Sequence, residues 1–116
     1  MTIKRFSGGN RGRCRAVVYG GLVYAVATDT SSAGNIADQT RRTLEALERS
    51  LVDAGSGRGG LLQVTVYLKD MAMKAQMDAV WCDWIGAAQG PCRACVGTDL
   101  APGDRVEIKL LAVKRS

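Results

Sequence analysis

Two helical patterns are interleaved with short runs of strand-forming residues, and this order restricts the fold more than any other feature of the chain. Apolar residues recur at three- and four-residue spacing in segments 36–54 and 73–88, whereas Leu61–Leu68 alternates with a two-residue period and the other flanking segments have strand composition. The order is β-β-α-β-α-β-β, with a candidate additional strand at Thr2–Phe6. Because two helices can cover only one face of such a sheet, we predict an α/β (α+β) domain with a mixed sheet and both helices on one face.

The first two strands are predicted to form a hairpin between Cys14 and Ala27. Two apolar runs are separated by Gly20-Gly21, and glycine reaches the positive φ angles that tight hairpin turns require. A polar loop at Thr28–Gly34 follows.

The first helix is expected to begin after Asn35 and to end near Ala54. Asn35 can cap the helix, with Asp38 three positions further on, and Gly55 stands where a helix commonly ends. The predicted buried stripe is Ile36, Thr40, Leu44, Leu47 and Leu51.

The segment Leu61–Leu68 alternates as a strand does, which places Leu62, Val64, Val66 and Leu68 on one face and Gln63, Thr65 and Tyr67 on the other.

A second helix follows Asp70 and is closed by residues 86–90. Its predicted buried stripe is Met73, Met77, Val80, Trp81, Trp84, Ile85 and Ala88.

The segment 90–112 is the candidate site. Cys92–Val96 and Val106–Val113 have strand composition, and the turn-forming residues 101–104 between them predict a second hairpin. A charge in mid-strand is costly to bury alone, so Arg93 and Glu107 either face water, form a structural salt bridge or share a polar pocket. We take Arg93 and Glu107 as the candidate catalytic pair.

Strand periodicity also restricts which neighbours can join that pair. Arg93 and Cys95 are expected to share one face of their strand, and Cys92, Ala94 and Val96 the other. Glu107 is expected to project away from the face of Val106 and Ile108.

The length of 116 residues predicts a single domain spanning 1–116. The longest apolar runs are far shorter than the ~20 residues of a membrane span, and the N-terminus is too polar for a signal peptide. Four cysteines without such a signal fit a reducing compartment, so we expect a cytoplasmic protein without disulfides and without a membrane partner.

The chain contains no histidine, which excludes His-based acid–base catalysis and mixed Cys/His zinc sites. Cys92 and Cys95 match a C-x-x-C pattern, but in a strand they project from opposite faces, and a zinc site would also need Cys14 and Cys82. We therefore expect no metal site. The net charge of +5 suggests nucleic acid, but the chain lacks an aromatic stacking platform, which argues against that partner.

The predicted helix-free face carries Thr65, Tyr67, Leu111 and Val113, a set more typical of an interface than of a wet surface. We therefore expect self-association with closed symmetry, and a site at a subunit boundary.

The order and spacing of several short motifs resemble the Rid family, the YjgF-type reactive intermediate deaminases, over nearly the full length. The motifs are Gly20-Gly21-Leu22-Val23-Tyr24, Asp38-Gln39-Thr40, Leu47 through Ala54-Gly55, Val66-Tyr67-Leu68-Lys69-Asp70-Met71, Pro91-Cys92-Arg93-Ala94-Cys95-Val96 and Val106-Glu107-Ile108.

The resemblance implies a chorismate-mutase-like fold and a homotrimer whose sheets close a central barrel, with active sites in the clefts between subunits. It implies cofactor-free hydrolysis of imines and enamines, which amino-acid oxidases and pyridoxal-phosphate enzymes produce, to 2-oxo acids and ammonia. Arg93 would bind the substrate carboxylate and Glu107 would assist the attacking water. Other substrate-binding candidates by this resemblance are Ala94, Cys95, Asp78, Thr28 and Arg13.

The chain departs from the family pattern around the pocket. The region of Arg13 replaces a Gly-Pro-Tyr-Ser segment and its tyrosine, Ala27-Thr28-Asp29 replaces Ser-Gly-Gln, and Asp78 replaces an asparagine. These changes imply an altered substrate or no turnover, and an Arg13 that enters the cleft would favour a more acidic ligand. Three functions stay open: an imine deaminase, a non-catalytic trimeric module that binds a carboxylate metabolite or a partner enzyme, and an RNA-binding or RNA-cleaving protein.

Overall fold

The computed structural model describes residues 1–29, 31 and 33–115. Its strands are β1 (Lys4–Ser7), β2 (Cys14–Tyr19), β3 (Leu22–Thr28), β4 (Leu61–Leu68), β5 (Cys92–Gly97) and β6 (Val106–Val113), and its helices are α1 (Ile36–Asp53) and α2 (Lys74–Ile85). They form one six-stranded sheet in the order β1-β2-β3-β6-β4-β5. The pair β4–β5 is parallel and the other pairs are antiparallel, so the predicted mixed sheet and the additional first strand are confirmed.

The hairpin β2–β3 forms as predicted. Gly20 and Gly21 have φ angles of 61° and 81°, and Tyr19 pairs with Leu22 across the turn. The loop predicted at Thr28–Gly34 begins one residue later, because Thr28 still belongs to β3. Thr30 and Ser32 of that loop lie outside the described residues.

Helix α1 has the predicted ends. The Asn35 side chain accepts a hydrogen bond from the Asp38 amide, Asp38 accepts one from the Asn35 amide, and Gly55 follows the helix with a φ of 84°. All five residues of the predicted stripe are buried. The helix packs across β2, β3 and β6 and against α2, so its apolar face covers the middle of the sheet.

Helix α2 is preceded by a 3₁₀ turn at Met71–Met73 and ends at Gly86, whose φ is 65°. Met77 and Trp81 are buried in the core, and Trp84 packs against Trp81 with ring centroids 5.5 Å apart. The helix stops before Ala88, which is exposed, so the predicted stripe is wrong at that residue. No helix in the described part of the chain is both long and apolar enough to cross a membrane.

The second predicted hairpin is wrong. The turn itself exists, because the Asp104 amide donates to the Ala101 carbonyl at 3.0 Å and Gly103 has a φ of 88°. The strands on either side of it, however, both pair with β4, which lies between them. The intervening helix α2 allows β5 to return parallel to β4, and a parallel pair needs such a crossover. Strand β5 therefore ends the sheet.

The face pattern predicted for β4 is wrong at its first residues. The pairing of β4 with β6 shifts between Leu61 and Gln63, as in a β-bulge. Leu61 consequently enters the core, whereas Leu62 is 44% exposed. From Val64 onward the predicted alternation holds.

The helix-free face of the sheet carries an apolar concavity. Tyr24, Val26 and Val113 on this face are 46%, 39% and 38% exposed. The concavity has a volume of about 400 Å³, and its lining includes Val17, Tyr24, Val26, Thr65, Lys109 and Leu111. The predicted placement of both helices on one face is therefore confirmed, and the other face is uncovered in the single chain.

Candidate functional site

Arg93 lies on the edge strand β5 with its side chain on the helix-covered face. It is paired with the buried Val64 in the sheet, and its guanidinium stacks 5.4 Å from the ring centre of Trp81. One terminal nitrogen donates to the Asp78 carboxylate at 2.6 Å, and the other lies 3.7 Å from the Met77 sulfur. The side chain is 18% exposed, so solvent still reaches a small part of it.

Asp78 bridges two cations. Its second carboxylate oxygen accepts a hydrogen bond from the Lys74 ammonium at 2.7 Å, one helical turn earlier in α2. Burial opposes ionisation, but the hydrogen bonds and charges of Lys74 and Arg93 outweigh it and lower the pKa of Asp78. The cluster Lys74–Asp78–Arg93 holds two cations against one carboxylate and so keeps one surplus positive charge.

Cys95 follows Arg93 on the same face of β5, as the strand periodicity predicted. Burial raises the pKa of its thiol, more than the charges of Arg93 and Lys74 lower it. The thiol is therefore protonated at neutral pH, so Cys95 lines the site as a small side chain and is not a nucleophile.

Glu107 lies on the opposite, helix-free face. It pairs with Thr28 on β3 and with Tyr67 on β4, and Tyr67 in turn pairs with Val96 on β5. These four residues form one row across the sheet. The Thr28 hydroxyl donates to the Val106 carbonyl at 2.8 Å, so it is fixed to the backbone beside Glu107.

The possibility that Arg93 and Glu107 share a pocket is not realised within one protomer. Arg93 projects with Val64, Glu107 projects with Tyr67, and residues three apart on β4 lie on opposite faces. Arg93 does form a salt bridge, but its partner is Asp78. A site that contains both Arg93 and Glu107 therefore needs a second protomer.

The remaining candidates fall into different places. Asp78 and Cys95 lie with Arg93, whereas Thr28 lies with Glu107. Ala94 is exposed and pairs with Thr65, on the helix-free face of the edge strand. Arg13 is exposed in the loop before β2, four strand positions from β5, or ~19 Å at the usual strand spacing. Arg13 and Arg93 of one chain therefore lie near opposite ends of the sheet.

Lys74 belongs to the cluster but was not predicted from the sequence. The signal was available, because Lys74 and Asp78 are four residues apart, the spacing of facing side chains on a helix. The second helix, predicted to follow Asp70, already contained both residues.

A second ionic network fixes the end of β3. Asp29 is 6% exposed and accepts hydrogen bonds from the Arg42 guanidinium and the Ser31 hydroxyl, each at 2.8 Å. Burial opposes ionisation, but the hydrogen bonds from Ser31 and Arg42 outweigh it and lower the pKa of Asp29. The carboxylate thus anchors the start of the loop that follows Thr28.

All four cysteines are free, and within residues 1–29, 31 and 33–115 the acidic and cysteine side chains form no group of three or more that could hold a metal ion.

A mixed six-stranded sheet with both helices on one face places the chain in the class of small α+β domains. The family model described as Endoribonuclease L-PSP matches residues 2–114. The chain belongs to this family, which is also known as the YjgF or Rid family, and the resemblance drawn from the sequence motifs is confirmed.

Solved structures and curated relatives agree with this assignment. NMB1025 of Neisseria meningitidis, a member of the YjgF protein family, is 38% identical with a TM-score of 0.92, covering 100% of this chain and 98% of that one. Rv2704 of Mycobacterium tuberculosis is 28% identical with a TM-score of 0.86, covering 97% and 99% of the two chains. The RutC family protein PH0854 of Pyrococcus horikoshii is 39% identical over 82 residues, which span 70% of this chain and 64% of that protein.

Proposed function

We propose that this protein hydrolyses 2-imino acids, or their enamine tautomers, to 2-oxo acids and ammonia. The observation that carries the proposal is the placement of Arg93 at the free edge of the sheet, in a cluster with one surplus positive charge. Membership of the Rid family supports it.

Arg93 would anchor the substrate carboxylate. Its contacts with Asp78 and Met77 occupy only part of the guanidinium, and the remaining N–H groups offer a planar fork to a carboxylate. Stacking on Trp81 holds that fork in one orientation. The anchored carboxylate would fix the adjacent C=N carbon, so a water molecule could attack it from one side.

Glu107 would activate this water from a neighbouring protomer. The C–O bond forms as the C=N electron pair moves to nitrogen, and Glu107 carries the water proton to that nitrogen. Glu107 then moves the hydroxyl proton of this carbinolamine to the nitrogen, the C–N bond breaks as the carbonyl forms, and ammonia leaves. The barrier to be lowered is modest, because imines hydrolyse in water unaided and each ~1.4 kcal/mol accounts for a factor of ten.

Assembly is part of this proposal. The uncovered apolar face with Tyr24, Val26 and Val113 would be buried in a homotrimer that closes a central barrel. In that arrangement the β5 edge of one chain would lie against the Glu107 row of the next.

The test is an oxidase-coupled assay. An amino-acid oxidase generates the 2-imino acid, and ammonia release is followed with and without the protein. We expect faster release with the wild type and a loss of at least tenfold in Arg93→Lys, which keeps the charge but not the fork. Arg41→Lys is the matched control, because Arg41 forms an exposed ion pair on α1. Unaccelerated release across several amino acids would exclude this activity.

The salt bridge between Asp78 and Arg93 favours a second candidate, a trimeric module that binds a carboxylate metabolite without turnover. Asp78 occupies one terminal nitrogen of Arg93, so a carboxylate ligand binds only the remaining N–H groups and is held without the bidentate contact that would orient it for attack by water. Arg93-dependent binding in calorimetry, without accelerated ammonia release, would select this candidate over the enzyme.

The description of the matching family model also names an endoribonuclease. Incubation with labelled RNA at two salt concentrations tests that activity, since electrostatic RNA binding weakens steeply with salt.

A further inference from the structure

The salt bridge at the candidate site places opposite charges side by side where a ligand can reach them. Arg93 Nη2 and Asp78 Oδ1 are 2.6 Å apart, and the two side chains are 18% and 31% exposed. A simple carboxylate that binds the free part of this guanidinium comes to lie beside the Asp78 carboxylate. The two carboxylates repel each other, and Lys74 offsets this repulsion only from the far oxygen of Asp78, so the site binds a plain anion less well than a ligand that also carries a cation.

A ligand with a cation next to its carboxylate meets no such penalty. A 2-imino acid is such a ligand in its protonated form, because the iminium nitrogen is attached to the carbon that bears the carboxylate. An α-amino acid has the same arrangement of charges. In either molecule the carboxylate and the N–H groups are close enough together to contact the two halves of one salt bridge.

We propose that Asp78 makes this site selective for zwitterionic ligands, with the ligand carboxylate on Arg93 and the adjacent cationic N–H on Asp78. The proposal rests on the proposed function in one respect, that Arg93 is the carboxylate anchor. It assigns Asp78 to the recognition of the nitrogen that leaves during hydrolysis.

The contacts of Asp78 leave room for this second role. A carboxylate can accept about four hydrogen bonds, and the two that Asp78 accepts here come from Arg93 and Lys74, one to each oxygen. Lys74 restrains Oδ2, so the carboxylate stays oriented with Oδ1 beside Arg93. A ligand N–H can therefore be added without breaking either contact.

The same contact would help the reaction. An iminium carbon is more electrophilic than that of a neutral imine, because the nitrogen accepts the C=N electron pair more readily when it already carries a proton. A carboxylate at the nitrogen stabilises this protonated form. Water adds, the pair moves to nitrogen, and the products are the 2-oxo acid and an ammonium ion, so charge and atoms balance.

The test compares two ligands that differ only at this nitrogen. L-2-aminobutanoate and L-2-hydroxybutanoate are titrated calorimetrically into the wild type and into Asp78→Asn. We expect the wild type to bind the amino acid at least tenfold more tightly, which is about 1.4 kcal/mol. In Asp78→Asn this ratio should fall to within about threefold, with the hydroxy acid bound more tightly than by the wild type. Equal ratios in the two proteins, or no binding of either ligand, would overturn the proposal.

Asp83→Asn is the matched control, because Asp83 is an exposed carboxylate further along α2 that lies outside the cluster. It should keep the wild-type ratio, and a change there as large as that of Asp78→Asn would also count against the proposal. If Asp78→Asn does not fold by thermal melting, Asp78→Ser provides the same comparison. If the wild type prefers the amino acid tenfold but does not accelerate ammonia release in the oxidase assay, the enzyme is refuted and this selectivity stands. If it accelerates release without that preference, the selectivity is refuted and the enzyme stands.

Discussion

Arg93 and Glu107 project from opposite faces of the same sheet, and strand β4 lies between the strands that carry them. A mechanism that uses both therefore depends on the meeting of two protomers. This dependence can be tested genetically, by separating the two residues into different chains.

We expect Arg93→Ala and Glu107→Gln to be inactive alone and to complement each other when co-assembled. In a randomly mixed trimer, roughly a quarter of the boundaries pair an intact Arg93 with an intact Glu107 from the neighbour. Ammonia release in the oxidase assay should therefore recover to about a quarter of the wild-type rate. Mixing after separate purification, without subunit exchange, is the control and should restore nothing. Activity that stays absent after verified co-assembly contradicts a shared site.

A charge on the helix-free face should disrupt self-association. Tyr24 pairs with Leu111 across the centre of this face, and a lysine at position 24 would have to be desolvated inside an assembled sheet pair. We expect Tyr24→Lys to sediment as a smaller species than the wild type. Val52→Lys is the control, because Val52 is 62% exposed on α1, and it should leave the mass unchanged. Equal masses for all three proteins would place the interface elsewhere.

The buried carboxylate of Asp29 should stabilise the fold in a pH-dependent way. Its pKa in the folded state lies below the ordinary value, so its contribution is fully present above the unfolded pKa of about 4 and is lost as the pH falls through the folded pKa. Asp29→Asn should lower the free energy of unfolding by about 2 kcal/mol near neutral pH and by less below about pH 4, as measured by urea denaturation.

Asp53→Asn is the comparison for that experiment. Asp53 forms an ion pair with Arg15 in which both side chains are well exposed, so its loss should cost less than about 1 kcal/mol. A larger loss for Asp53→Asn than for Asp29→Asn would show that burial does not govern these two pairs.

Gln39 should hold the connection between β5 and β6. Its fully buried side chain accepts a hydrogen bond from the Arg105 amide at 3.0 Å and donates one to the Gly103 carbonyl at 3.3 Å. Gln39→Met keeps the size but leaves both backbone groups unpaired, at an expected cost of about 2 kcal/mol. Amide exchange at Arg105 should become faster in the variant. The exposed Gln76→Met should change neither quantity, and an unaffected Gln39→Met would mean that water replaces the lost contacts.

Local signals predicted the local parts of the fold. The capping residues of α1 and the glycine pair of the first hairpin act within a few positions, and their geometry forms as expected. The second hairpin failed because Ala101–Asp104 does form a turn, but turn chemistry does not determine which strand lies beside which. That is decided by α2, which returns β5 to the far side of β4.

The same distinction explains the candidate site. Periodicity gave the face of Arg93 relative to Cys95 and that of Glu107 relative to Val106, because each relation lies within one strand. Whether Arg93 and Glu107 lie on the same face depends on the register of each strand with β4, and a local sequence pattern does not contain this register. The contact between Asp78 and Arg93 likewise joins a helix to a strand 15 residues away.

Because β5 is the last strand of the sheet, the site around Arg93 is formed only while β5 is paired with β4. Arg93 lies on a strand that pairs with β4 alone within the described part of the chain. An edge strand unfolds locally more readily than the strands at the centre of a sheet. Strand β5 can therefore lose and re-form its pairing with β4 while β3, β6 and β4 stay paired. Ligand binding at Arg93 would then be coupled to the pairing of β5 with β4. Amide hydrogen exchange along β5 should therefore slow when a ligand is bound.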